Sequence, residues 1–271
     1  MLDGAARLGE LFDETERLGM PALATTDHGY LFGAFDFWQK AQAKGIKPII
    51  GVEAYVTPGT ARTDKERVRW GDESQRKDDV SGGGSYTHMT LLSYNNVGMR
   101  NLFRASSIAS LDSVFGKWPR LDRELLNTYS EGLIATTGCP SGEVQTRLRL
   151  GQYREALEAA AEFRDIFGAE NYFCELMDHG LDIETRVTKE LLELSKVIGA
   201  KLVATNDLHY VREEDSTSQD VSSSPGGQGK RGMKLASVLK DTSQRSAIRS
   251  VLSQASGWSR KSSRISRGDL R

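Results

Sequence analysis

The sequence predicts an α/β fold close to a barrel of the TIM type, followed by a tail that has no packed core. Three observations predict this arrangement. Over the first 215 residues, short apolar runs alternate with helical patterns of apolar residues, which is typical of βαβ units. Most of these runs end close to a carboxylate, an imidazole or a thiol. After Asp215 the alternation stops.

The individual elements follow from the spacing of the apolar residues. Six predicted strands are short apolar runs, and they cover residues 21–25, 46–56, 87–94, 132–137, 172–177 and 201–205. Six predicted helices cover residues 5–18, 30–43, 97–109, 143–150, 153–167 and 183–198. The polar residues 57–85 are expected to form a long exposed loop. The aromatic residues of the second helix are expected to pack in the core, and they are Phe32, Phe35, Phe37 and Trp38.

Residues 216–271 form a separate segment rich in Ser, Arg and Lys. This segment carries a net charge of +8, whereas residues 1–215 carry −9. Trp258 is its only aromatic residue, so it cannot bury enough apolar surface to offset the entropy lost on ordering. We expect a tail that is disordered or translated out of frame. Its positive charge would permit weak contact with nucleic acid, although such charge is more often simply solvated.

Cysteine usage and apolar content bear on the compartment. Cys139 and Cys174 are too few for a disulfide framework, which favours a reducing environment. No apolar run approaches the roughly 20 residues that are needed to span a bilayer. We therefore expect a cytoplasmic protein with no membrane partner.

Side chains of the metal-binding type lie at or near the ends of five predicted strands. In a parallel barrel the carboxyl ends of the strands converge on one face, where active sites are built. Imidazole and thiolate suit Zn²⁺, and bridging carboxylates suit metal clusters. The pattern therefore predicts a shared metal site, and the residues that form it are Asp27, His28, Glu53, His88, Cys139, Asp207 and His209.

Each of these side chains also has a structural alternative. Asp27 and His28 can cap the helix that follows them, and Cys139 can be a small core residue. Glu53 lies in an apolar strand and needs a cation, which is either a metal ion or the side chain of a Lys or Arg. His179 follows a strand as well, and it either joins the site, starts a turn or caps the next helix.

Five ordered motifs carry a family resemblance, and they read ATTDHG, PIIGVEAYV, HMTLL, ATTGCPSGE and ATNDLHY. Over residues 1–215 they resemble the N-terminal PHP (polymerase and histidinol phosphatase) domain of bacterial DNA polymerase III α subunits, most of all the actinobacterial ones. The resemblance implies an incomplete, distorted (β/α)7 TIM-like barrel with a divalent metal cluster, usually zinc, with Mn²⁺ or Mg²⁺ as alternatives. For members with an intact site the resemblance implies metal-dependent 3′→5′ hydrolysis of DNA, and for members with an incomplete site it implies a mainly structural domain without this activity. The ligands at matching positions would be Asp3, His28, Glu53, His88, Cys139, Asp207 and His209.

The chain departs from the family pattern at both ends. Family members begin with a strand that carries a His-x-His motif, whereas here Met1 comes first, so an incomplete barrel and metal cluster are expected. Family members continue past NDLHY into a polymerase module, and nothing after Asp215 resembles it. We therefore expect a fragment of a DNA polymerase III α subunit, a DNA-directed DNA polymerase, that contains only the PHP domain. Its partners would be DNA and, in the intact family, the other subunits of the polymerase III holoenzyme.

Two other functions remain open at this stage. One is a free-standing PHP-type phosphoesterase, which needs a complete set of ligands. The other is a non-enzymatic module whose basic tail contacts nucleic acid. The chain lacks the polymerase module, so we expect no polymerase activity, and template-dependent primer extension by this chain would contradict that expectation. A barrel without its first strand also exposes two sheet edges, so poor solubility is expected.

Overall fold

The computed structural model describes residues 4–75 and 83–217. The predictions that concern Asp3 and the tail from residue 218 onward lie outside the described residues. Within these ranges, helices and strands alternate along the chain as the sequence predicts. In this part of the chain, no helix combines the length and the apolar character that a bilayer crossing requires.

The described residues contain all six predicted strands and all six predicted helices, with ends that differ by a few residues. The strands are β1 (Ala22–Thr25), β2 (Lys47–Val56), β3 (Thr87–Ser93), β4 (Val114–Phe115), β5 (Trp118–Leu121), β6 (Leu133–Thr136), β7 (Tyr172–Leu176) and β8 (Lys201–Ala204). The helices are α1 (Leu8–Arg17), α2 (Ala34–Lys44), α3 (Asn96–Asp112), α4 (Arg123–Thr128), α5 (Glu143–Arg149), α6 (Tyr153–Phe167) and α7 (Asp182–Ile198). The short hairpin β4–β5 and helix α4 are additions that the sequence pattern did not predict.

The strands form one mixed sheet in the order β4-β5-β2-β3-β6-β7-β8, and β1 also pairs with β2. Strand β2 is long enough for two parallel partners, because β1 pairs with its first half and β5 with its last two residues. Strand β3 lies antiparallel between β2 and β6, so the sheet departs here from the parallel strands of a regular TIM barrel. The described residues of the connection from β2 to β3 contain the short 3-10 helix Glu73–Gln75 and no α-helix, whereas a parallel strand would need a longer crossover.

The described sheet is open between β1 and β8. Within the described ranges, β1 pairs only with β2, and β8 pairs only with β7. These two strands are only partly buried, whereas the middle of β2 and most of β6 and β7 are buried. An open sheet with helices packed on it agrees with the expected incomplete barrel.

Helix α2 packs on the sheet through only one of its predicted aromatic core residues. Phe37 is buried and its ring centroid lies 4.9 Å from that of Phe12 on α1. The expectation that the other aromatics are core residues is wrong, because Phe32, Phe35 and Trp38 are 86%, 64% and 46% exposed. Helical spacing places Phe37 on the face that meets the sheet and turns Phe35 and Trp38 away from it.

The loop after β2 is anchored at both ends. The sequence pattern predicts an exposed loop, but the two ends of the loop are buried. Its first and last residues, Thr57 and Ser85, are fully buried. Arg120 on β5 is also fully buried, and its guanidinium donates hydrogen bonds to the carbonyl oxygens of Arg62, Asp64 and Ser85. A single buried side chain thus ties the loop to the sheet.

Candidate metal centre

Glu53 is the buried carboxylate at the middle of the candidate metal centre. It lies in β2 and is 7% exposed. The Nδ1 atom of His28 lies 3.4 Å from its Oε2 atom, and the Nδ1 atom of His88 lies 2.5 Å from its Oε1 atom. Possible ligand atoms of the three residues all lie within 4.8 Å of one another. The two carboxylate oxygens therefore face different nitrogen donors.

His28 reaches Glu53 because the pairing of β1 with β2 continues past the end of β1. The amide of Glu53 donates to the carbonyl oxygen of Asp27 (3.1 Å), and the amide of Gly29 donates to the carbonyl oxygen of Glu53 (2.9 Å). Burial raises the pKa of the Asp27 carboxyl group. Helix α2 has Gly33 as its N-cap without a side-chain hydrogen bond, so the alternative in which Asp27 or His28 caps this helix is not observed.

His88 reaches the same place because β3 runs antiparallel to its neighbours. Its position near the start of β3 therefore coincides with the carboxyl end of β2. The register pairs Tyr55 with His88 and Glu53 with Thr90, so all four side chains lie on one face of the sheet. Because β3 is antiparallel, its first residues lie at the same edge of the sheet as the last residues of the parallel strands.

Cys139 lies in the loop after β6 and contacts two of the three earlier members of the centre, Glu53 and His88. Its Sγ atom donates to Oε1 of Glu53 (3.3 Å) and lies 3.4 Å from Nδ1 of His88. The amide of His88 donates to the carbonyl oxygen of Ser141, which fastens this loop to β3. Burial and the carboxylates of Glu53 and Asp207 raise the pKa of the thiol well above its usual value. The thiol is therefore neutral unless a cation is bound beside it.

Asp207 and His209 lie in the segment after β8. The ring Nδ1 atom of His209 lies 2.7 Å from the backbone oxygen of Asp207, and the backbone oxygen of His209 accepts a hydrogen bond from the amide of Ala5 (2.7 Å). Burial raises the pKa of Asp207, and the negative charge of Glu53 raises it further. Asp207 is therefore close enough to Glu53 for the two carboxylates to repel each other.

The charge on Glu53 is stabilised by the imidazoles that flank it. Burial alone would raise its pKa, but the charge and hydrogen bond of His88, together with the charge of His28, lower the pKa to about 2. The carboxylate is therefore ionised at neutral pH. An ionised carboxylate inside a protein needs positive charge nearby.

Two tyrosines line the centre and were not singled out from the sequence. The ring of Tyr55 is stacked on that of His28 with centroids 5.9 Å apart, and the ring of Tyr86 is stacked on that of His88 with centroids 5.6 Å apart. Tyr55 lies two residues after Glu53 in β2, and Tyr86 lies two residues before His88, just ahead of β3, so this spacing of two was the available signal. The stacking restricts how the two imidazoles can turn.

Glu175 is a second buried carboxylate that sequence reasoning missed. It lies in β7 and is 4% exposed. Its oxygens accept hydrogen bonds from the hydroxyls of Thr90, Thr136 and Thr205, which belong to β3, β6 and the segment after β8. Burial raises its pKa. Like Glu53, Glu175 is a carboxylate within an apolar strand, and this pattern was the available signal in the sequence.

The donor groups of the centre suit a divalent metal ion. The structure brings together His28, Glu53, His88 and Cys139, and electrostatics links Asp207 to them, whereas Asp3 lies outside the described residues. Imidazole, thiolate and carboxylate are the ligand types that Zn²⁺ takes. The thiol of Cys139 and the ionised carboxylate of Glu53 lie side by side, so one cation could bind to both. The arrangement therefore suggests divalent metal binding, without choosing the metal.

Comparison with known proteins yields a family match and close relatives. A model of the PHP domain matches residues 1–179. The chain is 59% identical over 214 residues to DNA polymerase III subunit alpha of Mycobacterium tuberculosis, and 57% identical over 225 residues to that of Saccharopolyspora erythraea. The two alignments cover 79% and 80% of this chain but 18% and 19% of the relatives, so the chain spans less than a fifth of their length. Among solved structures, an amidohydrolase from Chromobacterium violaceum aligns at 15% identity with a TM-score of 0.44, over 79% of this chain and 86% of that protein.

Proposed function

Because this chain belongs to the PHP domain family, we propose that it is the PHP part of a bacterial DNA polymerase III α subunit and that its centre binds divalent metal for phosphodiester hydrolysis. The proposal places the metal-binding barrel in residues 1–215 and a tail without a packed core in residues 216–271. It also places the protein in the bacterial cytoplasm, with DNA and the other replication subunits as partners of the whole polymerase. The proposed ligands are Asp3, His28, Glu53, His88, Cys139, Asp207 and His209.

The observation that carries this proposal is the environment of Glu53. A carboxylate that is 7% exposed presents one oxygen to His88 and Cys139 and the other oxygen to His28. Together with the neighbouring imidazoles and thiol, this carboxylate would help to hold a divalent cation. We favour Zn²⁺ because the donor set combines imidazoles with a thiol, with Mn²⁺ or Mg²⁺ as alternatives.

Divalent metal bound at such a centre supplies Lewis-acid chemistry for phosphoester hydrolysis and neutralises charge on the phosphate. The chain's own residues hold the centre in place. Tyr55 and Tyr86 orient the imidazoles of His28 and His88 and cover them on one side. Glu53 stays ionised at neutral pH because the two imidazoles lower its pKa, so it is ready to accept a cation.

The test measures metal binding by the full chain after removal of metal with a chelator. Zn²⁺ or Mn²⁺ is titrated back, and bound metal is counted by plasma mass spectrometry. We expect Glu53→Gln to weaken Zn²⁺ binding by more than the roughly 10–100-fold that loss of an outer-shell partner costs. Asp122→Asn is the matched control, because Asp122 is also a buried acid but pairs with Arg62 at the start of α4.

Two outcomes would contradict the proposal: a wild-type chain that binds no metal, or a Glu53→Gln variant that binds it as well as the wild type. Hydrolysis is measured separately, on a single-stranded oligonucleotide labelled at its 5′ end. Metal-dependent shortening from the 3′ end that Glu53→Gln abolishes would assign the hydrolysis to this chain itself. Metal binding without shortening would support a structural centre within a larger polymerase.

A further inference from the structure

His179 connects the loop after β7 to the segment that carries Asp207 and His209. Its side chain is 3% exposed. The Nδ1 atom lies 2.6 Å from Oε1 of Glu184 in the first turn of α7, and the Nε2 atom lies 2.8 Å from the backbone oxygen of Asn206. Since a carbonyl oxygen only accepts, Nε2 carries a proton and donates it to Asn206.

The carboxylate of Glu184 bonds to His179 through both of its oxygens. It is 6% exposed, and its second oxygen accepts a hydrogen bond from the backbone amide of His179 (2.8 Å). Both carboxylate oxygens of Glu184 are therefore bonded to the same residue. The bond to the backbone amide holds the carboxylate in place, and its contact with Nδ1 then restrains the imidazole and the direction in which Nε2 points.

The segment that His179 contacts is held at a second point by Glu175. The hydroxyl of Thr205 donates to Oε1 of Glu175 (2.5 Å), and Thr205 directly precedes Asn206. Two consecutive residues before Asp207 are thus bonded to buried groups of β7 and of the loop that follows it. Glu175 holds the side-chain hydroxyl of Thr205, and His179 holds the backbone oxygen of Asn206.

Asp207 itself has a backbone conformation that requires support. Its φ is +43°, and within the described ranges it is the only residue other than glycine with a positive φ. A side chain in this region is sterically disfavoured and persists where neighbouring contacts fix it. The contacts of Thr205 and Asn206 lie immediately before this residue.

We propose that His179, held by Glu184, is a positioning residue that fixes residues 205–209 so that Asp207 and His209 face the metal centre. The inference rests on the proposed function, because it gives these two residues a role as ligands. In this proposal His179 does not bind the metal itself. Outer-shell partners of this kind orient ligands and raise metal affinity.

A purely local role is the alternative that must be distinguished. Helix α7 has Leu181 as its N-cap without a side-chain hydrogen bond, so the contacts between His179 and Glu184 could serve only to begin this helix. The contact to Asn206 separates the two roles. His179→Asn places an amide near the position of Nδ1, which keeps a partner for Glu184 but cannot reach Asn206. His179→Gln places an amide near Nε2, which can still reach Asn206.

The experiment uses the full chain and two measurements. Amide hydrogen exchange of residues 206–210 is measured in the metal-free protein, and Zn²⁺ affinity is measured by competition with a chromophoric chelator. We expect His179→Asn to raise exchange in this segment and to weaken Zn²⁺ binding by about 10–100-fold. His179→Gln should lose less in both measurements, and the control Asp122→Asn should change neither.

Equal behaviour of His179→Asn and Asp122→Asn in the exchange measurement would overturn the inference, because the segment would then not depend on His179. If His179→Asn does not fold, Glu184→Gln replaces it, since this change keeps the shape of the carboxylate and removes its charge. A wild type that binds no Zn²⁺ would overturn the proposed function, and exchange in the metal-free protein would still decide whether His179 positions the segment.

Discussion

The thiol of Cys139 donates to Oε1 of Glu53 across 3.3 Å, which joins the loop after β6 to the middle of β2. The same carboxylate oxygen is shared with His88. Burial and neighbouring carboxylates raise the pKa of this thiol, so the hydrogen bond is that of a neutral group. A metal ion at this place would displace the thiol proton and bind the sulfur as a thiolate.

Cys139→Ser should lower the affinity for Zn²⁺ by at least about tenfold and change the affinity for Mn²⁺ much less. Sulfur is a soft ligand that favours Zn²⁺, whereas Mn²⁺ prefers oxygen. Isothermal titration with each metal measures the change in preference. Cys174→Ser is the matched control, because Cys174 is a buried thiol within β7. The ligand role of Cys139 is refuted if both variants bind the two metals in the same ratio.

The pH dependence of stability should reveal the pair of His179 and Glu184. Burial lowers the pKa of His179, but the hydrogen bond and charge of Glu184, with help from Asn206 and Asp207, outweigh burial and raise it above 6.5. Stability from this pair is therefore fully present below pH 6.5 and is lost as the pH rises through the raised pKa. The difference in Tm between wild type and His179→Gln, both metal-free, should shrink between pH 6 and pH 9. A difference that grows with pH would show that the sign is wrong.

Arg120→Met should reduce the free energy of unfolding by about 2–4 kcal/mol, because three loop carbonyl oxygens lose a charged donor. Urea denaturation followed by circular dichroism measures the loss. Arg154→Met serves as the control, since the side chain of Arg154 is 79% exposed and its loss should cost less than about 0.5 kcal/mol. Equal destabilisation by the two changes would contradict the anchoring role of Arg120.

Ala24→Pro should reduce self-association of the chain without unfolding it. The carbonyl oxygens of Pro21 and Asp27 accept hydrogen bonds from β2. Because backbone direction alternates along a strand, the backbone N–H and C=O groups of Leu23 also point to β2, whereas those of Ala24 point to the open edge. Proline on an edge blocks pairing with a second sheet. Sedimentation velocity at several concentrations measures association. Leu23→Pro is the control and should unfold the protein, and unchanged association of Ala24→Pro would exclude this edge as the contact.

The sequence predicts the helices and long strands well because apolar spacing reports which face of an element is buried. It misses the hairpin of β4 and β5, since two strands of two and four residues are too short to show a period. It also misses the direction of β3, because spacing is the same in parallel and antiparallel strands. His88 opens its predicted strand, and the antiparallel course of β3 brings it to the carboxyl end of β2.

The site was predictable where a polar residue interrupts an apolar strand, as at Glu53. The partners that orient the site were not predictable, because they meet only in the folded chain. Glu175 bonds to hydroxyls from three other segments, and His179 bonds to a carbonyl oxygen beyond α7. The exposure of Phe35 and Trp38 was not predictable from residue type. Aromatic residues favour the core, but which face of α2 is buried is decided only by the packing of the helix.

The centre takes its groups from β2, β3 and the segments that follow β1 and β6, which come together only in the folded sheet. A metal bound there would act as a cross-link between distant parts of the chain, present in the native state and absent from the unfolded ensemble. At a metal concentration of 100 times the Kd, such selective binding adds about 2.7 kcal/mol to the stability. The antiparallel course of β3 would then matter for refolding as well as for chemistry. His88 lies beside Glu53 only when β3 is paired with β2, so removal of a bound metal would weaken the sheet and not merely one loop.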